Sequence, residues 1–183
     1  GDLSAFYFDI RKDAIYCDDI NSKKRENCVI VLNIILESLL KWFAPILVFT
    51  TEEIYRLLFK DNKSVHLEKF LDFPDSFSNE KLNQKWIELI KIRNICNISI
   101  EEKRADKEIG SSLEADLNIH LDKNLEEITK NIDFSELCIT SKAEISFKEK
   151  LETSVKTTKA KGTKCTLCWK IIENACDRNH LSL

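Results

Sequence analysis

The stretch Cys165-Thr166-Leu167-Cys168-Trp169 has the clearest chemical potential in this sequence. Two thiolates separated by two residues can take adjacent corners of a tetrahedral zinc site, because the turn between them brings both sulfurs to one side. A structural zinc site needs four ligands. Cys176 and His180, across a short loop, are the nearest further donors. The rival readings are an unliganded pair and a redox dithiol. A redox pair should follow a strand and open a helix, whereas this one follows a lysine-rich loop. Lys156, Lys159, Lys161, Lys164 and Lys170 surround the pair. Their ammonium groups can neutralise phosphates, and the Trp169 indole offers a stacking face to an unpaired base. A solvated linker, with the tryptophan covering the thiol loop, is the plainer alternative.

Other charged residues have simpler local explanations. Arg11 and Lys12 stand beside Asp9 and Asp13 and read as surface ion pairs, which are worth little. Arg93 falls on or beside an apolar helical stripe, so it needs a carboxylate or an outside anion. Lys103, Arg104 and Lys107 close a helix, where the backbone dipole favours cations. There is no glycine-rich phosphate loop and no Ser/His/Asp set with suggestive spacing. His66, His120 and His180 are scattered, and His120 reads as structural. The chain by itself is expected to catalyse nothing.

The elements that must position these residues follow from periodicity. Leu3, Phe6, Tyr7, Ile10, Ala14 and Cys17 mark one face of a helix over 2–20, broken by Asp18, Asp19 and Asn21. A second helix is expected from Ser22 to about Phe43, with Cys28, Val31, Leu32, Ile35, Leu39 and Leu40 inward. Pro45 stops it, having no amide to donate. Thr50 and Glu53 have the spacing of a capping box for a third helix that buries Ile54, Leu57 and Leu58. After the turn Asp61-Asn62-Lys63 comes an irregular stretch to Phe77. A fourth helix is expected from Asn79 to about Lys107, carrying Leu82, Trp86, Leu89, Ile90, Arg93 and Cys96 along one side. Four helices with short connections predict an antiparallel bundle over 1–108. After Gly110 the text reads as a strand over 113–121, a short helix over 125–132, and strands over 137–140 and 143–147. This makes a small α/β unit over 109–148, followed by a lysine-rich tail over 149–183.

The chain has 183 residues, 28 basic against 31 acidic, and a net charge of -3. That value hides a local excess: residues 148–170 hold seven lysines against Glu149 and Glu152, so an anionic partner is expected there. Three glycines and two prolines exclude collagen and low-complexity disorder. No apolar run is long enough to span a bilayer, and no secretory leader is visible, so a membrane partner is not expected. Seven cysteines, an odd number and mostly isolated, fit a reducing cytoplasm. With no methionine, the sequence reads as a piece of something longer.

Several separated stretches carry a resemblance. AFYFDIRKDAIYCD at 5–18 and LKWFAPILVFTTEEIYRLL at 40–58 resemble the helical anticodon-binding domain of class I synthetases, with wording close to the bacterial-type isoleucyl-tRNA synthetases rather than to their valyl or leucyl relatives. SVHLEKF at 64–70, the helix from Trp86 to Arg93, and KEIGSSLEADLNI at 107–119 continue the likeness in order. KCTLCWK at 164–170 is similar to the first half of that family's C-terminal zinc motif. The resemblance implies a mainly α fold: a bundle of the anticodon-binding type, a small α/β unit and a truncated zinc-knuckle tail.

It also implies a cytoplasmic, monomeric ligase that uses ATP and magnesium to join isoleucine to its tRNA. The HIGH-like and KMSKS-like signatures of the catalytic domain and the editing domain are not in this text. What remains would grip the anticodon stem and loop. Lys12, Arg93, Arg104, Lys107, Lys159, Lys161, Lys164, Trp169 and Lys170 are the candidate contacts to the isoleucine-acceptor tRNA; DNA is not expected as a partner. The family's second cysteine pair would follow NHLSL at 179–183, so Cys165 and Cys168 read as half of a zinc site. Cys176 and His180 could then bind metal only adventitiously. A helical protein-interaction module with a degenerate zinc knuckle is the alternative, and a large exposed apolar patch would favour it.

Overall fold

The computed structural model describes residues 2–59, 63–150, 152–174 and 176. They form two compact units, Asp18–Ser78, and Gly1–Cys17 with Asn79–Leu183. These units cut across the division at 108 and 148 expected above. Among the described residues no helix is long and apolar enough to cross a membrane.

In the unit Asp18–Ser78, α2 (Lys23–Phe43) ends where Pro45 requires, and α3 (Val48–Leu58) follows after four residues. Leu40, Ala44, Tyr55 and Val65 form its core, with Leu36 and Ile54 packed against them. Three expectations fail here. Val31 is exposed while Ser38 and Lys41 are buried, because Ser38 turns its hydroxyl onto the Ile34 carbonyl and Lys41 reaches the Glu37 carboxylate at 2.7 Å. Leu57 and Leu58 are exposed; Thr51 and Tyr55 take the inward positions. The capping box does not form, since α3 begins two residues before Thr50, with no side-chain bond from its cap residue Leu47. The Thr51 hydroxyl donates instead to the Leu47 carbonyl at 2.9 Å. Beyond α3, the Glu52 carboxylate accepts from the Ser64 hydroxyl at 2.8 Å and the Val65 amide at 3.0 Å, fastening the loop to the helix. The expected turn at Asp61-Asn62 lies outside the described residues.

The other unit begins with a widened π-wound turn, Asp2–Phe8, passing into α1 (Asp9–Tyr16). The helix stops short of the expected residue 20 because the Asn21 amide donates to the Asp19 carboxylate at 2.8 Å, a local turn that competes with the helical ladder. After α4 (Glu80–Ala105), whose first turn is capped by the Asn79 side chain, comes a three-stranded sheet. Its strands are β1 (Ala115–Asp122), β2 (Lys142–Lys148) and β3 (Ser154–Lys159), ordered β2-β1-β3. Leu117 pairs in parallel with Ala143 and antiparallel with Thr157. Between β1 and β2 the chain makes α5 (Glu126–Thr129) and α6 (Phe134–Leu137). The strand expected over 137–140 is therefore absent. Asp133 caps α6, and Ile139 takes a positive φ of 56°, so the backbone there turns rather than extends.

One core joins Ile10 of α1, Leu89, Ile92, Cys96 and Ile100 of α4, and Ala115, Leu117, Ile119 and Leu121 of β1. Strict alternation puts every second β1 residue inward, and the buried row of α4 recurs at helical spacing against it. Within this unit α1 and α4 lay their apolar stripes on a sheet. On α4, Ile92 and Ile100 are buried and Leu82 is exposed. The lysine-rich tail is not wholly irregular either. Val155 and Thr157 alternate with exposed Ser154 and Lys156, which makes residues 154–159 an edge strand blunted by its lysines. Its Thr157 hydroxyl meets that of Ser99 on α4 at 2.7 Å.

Candidate nucleic-acid interface and thiol cluster

Past β3 the chain forms a two-stranded ribbon of β4 (Thr163–Lys164) and β5 (Ile171–Ile172). Gly162 makes this possible. Its φ is +123°, and a side chain there would press into the Ile172 carbonyl oxygen, 2.2 Å from where its Cβ would stand. The ribbon holds a tight turn. The Cys165 amide donates to the Lys170 carbonyl at 2.9 Å, and the Trp169 amide donates to the Cys165 carbonyl at 3.1 Å. The turn places the sulfurs of Cys165 and Cys168 on one side, and Cys176 returns to them. All three lie within 4.8 Å of one another.

Cys17, at the end of α1, is buried beside them, and its thiol lies 3.9 Å from the Leu167 carbonyl. None of the seven cysteines is in a disulfide. Burial opposes ionisation of Cys165, but the amides of Cys168 and Leu167 point at its sulfur and the thiol pKa falls below its ordinary value. Burial pushes that of Cys168 up to about 12, helped by its hydrogen bond with Cys165. Of the two, Cys165 is therefore the more readily ionised. Tetrahedral Zn–S bonds separate neighbouring sulfurs by about 3.8 Å, and Cys168 and Cys176 stand 4.0 Å apart. The donors fit a thiophilic metal ion. Among the described residues this is the group so disposed; His180 lies outside them.

The thiol turn and α1 border a cavity of about 520 Å³, whose lining includes Lys12, Asp13, Tyr16, Ser112, Trp169 and Lys170. Trp169 is 60% exposed, and the Lys164 ammonium stands 5.6 Å from its ring centroid.

Of the residues singled out from the sequence, Lys12, Trp169 and Lys170 meet at this cavity. The Lys12 ammonium donates to the Asp9 carboxylate at 2.6 Å, and that of Lys170 reaches the Ser135 hydroxyl at 3.4 Å. Arg104 and Lys107 line a different hollow at the end of α4, with Arg104 donating to Glu101 at 2.7 Å. Lys159 ends β3, and Lys161 and Lys164 are exposed about the ribbon. In place of the carboxylate expected for Arg93, its Nε donates to the Leu137 carbonyl at 2.9 Å and its guanidinium lies 5.0 Å from the Phe6 ring centroid. Arg11, read as a partner of its neighbours, donates instead to Glu136 at 2.8 Å. The His120 Nδ1 lies 2.6 Å from the Ser146 hydroxyl across the paired strands. Tyr16, Asp13 and Cys17 were not picked out as site residues; nothing local in the sequence ties them to a turn about 150 positions away.

Comparison with known proteins completes the picture. Residues 1–119 match the family model of the anticodon-binding domain of tRNA ligases. The isoleucine–tRNA ligase of Pelagibacter ubique is 63% identical over 178 residues, covering 97% of this chain and 20% of that protein. Those of Bartonella henselae and Agrobacterium fabrum are 39% and 38% identical, each match covering more than nine-tenths of this chain. The chain spans about a fifth of the length of these relatives.

Proposed function

This chain belongs to the family of anticodon-binding domains of tRNA ligases, and from that premise we propose that it is the tRNA-gripping part of an isoleucine–tRNA ligase. The observation that carries the reading is the ordered match of nearly the whole chain to proteins of that name. The ligase would be cytoplasmic and monomeric. Its ATP and magnesium would act in a catalytic domain outside this chain, with no bond made or broken here.

In this reading the chain holds the anticodon stem and loop. Lys12, Lys159, Lys161, Lys164, Lys170, Arg104 and Lys107 neutralise phosphates, and displaced counterions supply most of the affinity. Arg93 acts by keeping the α4 face in place rather than by reaching RNA. Trp169 stacks on an unpaired base. Cys165, Cys168 and Cys176 would hold a zinc ion as a partial site, and the ion, when bound, cross-links the turn that presents Trp169.

A filter-binding titration tests this, using the isoleucine-acceptor tRNA and an anticodon-swapped control. Preferential binding that weakens steeply with salt is expected. Equal, salt-insensitive binding to both overturns the reading.

A second reading rests on a different observation. The unit Asp18–Ser78 exposes Ile46, Phe49, Leu57 and Leu67, each more than 70% accessible. Such side chains suit a protein partner. Co-purification of a protein, with no change on adding tRNA, would decide for an interaction module.

A further inference from the structure

Of the seven cysteines, Cys176 alone is not buried. An oxidant arriving from solvent therefore meets its sulfur first. That sulfur lies 4.0 Å from the Cys168 sulfur, within hydrogen-bonding reach of it. A partly exposed thiol against a buried one is the arrangement of an attacked cysteine and its resolving partner.

The other two thiols of the cluster are placed differently. The amides of Cys168 and Leu167 point at the Cys165 sulfur. The Cys165 backbone is also tied within the turn, to the Lys170 carbonyl and the Trp169 amide. Cys17 packs beside the cluster, but its thiol faces the Leu167 carbonyl at 3.9 Å. Cys176, by contrast, lies past the end of β5, outside the ladder that pairs Thr163 with Ile172. A disulfide needs its sulfurs about 2 Å apart. Closing the gap to Cys168 takes a shift on the scale of one step between staggered rotamers.

We propose that Cys176 and Cys168 form a reversible, peroxide-driven disulfide, with Cys176 the attacked and Cys168 the resolving thiol, and that this bond competes with a metal ion for the thiol turn. The Cys176 sulfur attacks the O–O bond of hydrogen peroxide; an S–O bond forms and the other oxygen leaves as water. The Cys168 sulfur then attacks the sulfenic acid, an S–S bond replaces the S–O bond, and a second water leaves. Two thiols lose two electrons and two protons, and one peroxide becomes two waters. Sulfurs joined in this way are no longer thiolate donors, so disulfide and metal exclude each other here. Neither half of this depends on RNA binding.

The test treats the whole chain, reduced and stripped of metal by a chelator, with a slight excess of hydrogen peroxide. The chain should lose two of its seven thiols, and peptide mapping should find one link, between Cys168 and Cys176. Dithiothreitol should restore both thiols. Cys176→Ser should prevent the loss, and Cys168→Ser should leave a sulfenic acid at residue 176 that dimedone captures. The oxidised parent should bind cobalt at least about tenfold more weakly than the reduced one, and zinc added before the peroxide should protect both thiols. Survival of all the thiols, a link from Cys165 to Cys168 instead, or thiol loss unchanged in Cys176→Ser would each overturn the disulfide. Cobalt bound equally by both forms of the chain, or by neither, would overturn the competition with metal.

Discussion

The sulfurs of Cys168 and Cys176 lie 4.0 Å apart, although eight positions separate them in the chain. No spacing rule pairs them. The ribbon β4–β5 carries the chain past Cys168 and returns it so that Cys176 closes on the Cys165–Cys168 turn.

Cobalt or zinc titration should therefore report three thiolates rather than two. The parent chain is expected to show thiolate-to-cobalt absorption, and Cys176→Ser should weaken binding by at least about tenfold, the scale for loss of one ligand or its support. Cys165→Ser should abolish the signal. An unchanged titration in Cys176→Ser would return the site to the half-motif read from the sequence.

Arg93 should matter for stability. Removing its bond to the Leu137 carbonyl and its contact with Phe6 is expected to cost about 2 kcal/mol in Arg93→Ala. Arg93→Lys should recover little of it, since an ammonium cannot supply the planar fork. Urea unfolding midpoints check this.

The ribbon lysines should set the ionic part of RNA binding. Replacing Lys161 and Lys164 together by alanine should lower the slope of log affinity against log salt by about 1.5, if each lysine neutralises one phosphate. Binding curves at several salt concentrations measure the slope directly.

Asp133 gives a pH dependence whose sign can be worked out. Burial would raise its pKa, but the Ser135 hydroxyl and the amides of Glu136 and Ser135 donate to the carboxylate and hold it below the usual range. A depressed folded value contributes stability that is complete above the unfolded pKa, near ~4, and disappears as pH falls through the lower folded value. Asp133→Ala should cost about 0.5 kcal/mol at neutral pH, the low end for a solvent-exposed cap. As pH falls through that lower folded value the cost should shrink, as thermal unfolding of both chains across pH would show.

Much of this protein is legible locally. The bounds of α2 and α4 came within a residue or two, because Pro45 and Asn79 act on their own backbone neighbours and apolar spacing repeats within each helix. Alternation announced β1, and the paired thiols announced two members of the cysteine cluster. Local signals also misled. The Thr50–Glu53 spacing suited a cap that the backbone had already passed, and lysines masked the alternation of β3. Which stripe meets which was settled only in three dimensions: α4 against β1, Arg93 on a carbonyl and a ring, and Tyr16, Asp13 and Cys17 beside residues 165–170. The reason is physical. Helical and strand periodicity arise from each residue's own backbone and near neighbours, so a sequence displays them directly. Contacts across a hundred or more positions depend on how every apolar face is covered at once, and only the packed chain solves that.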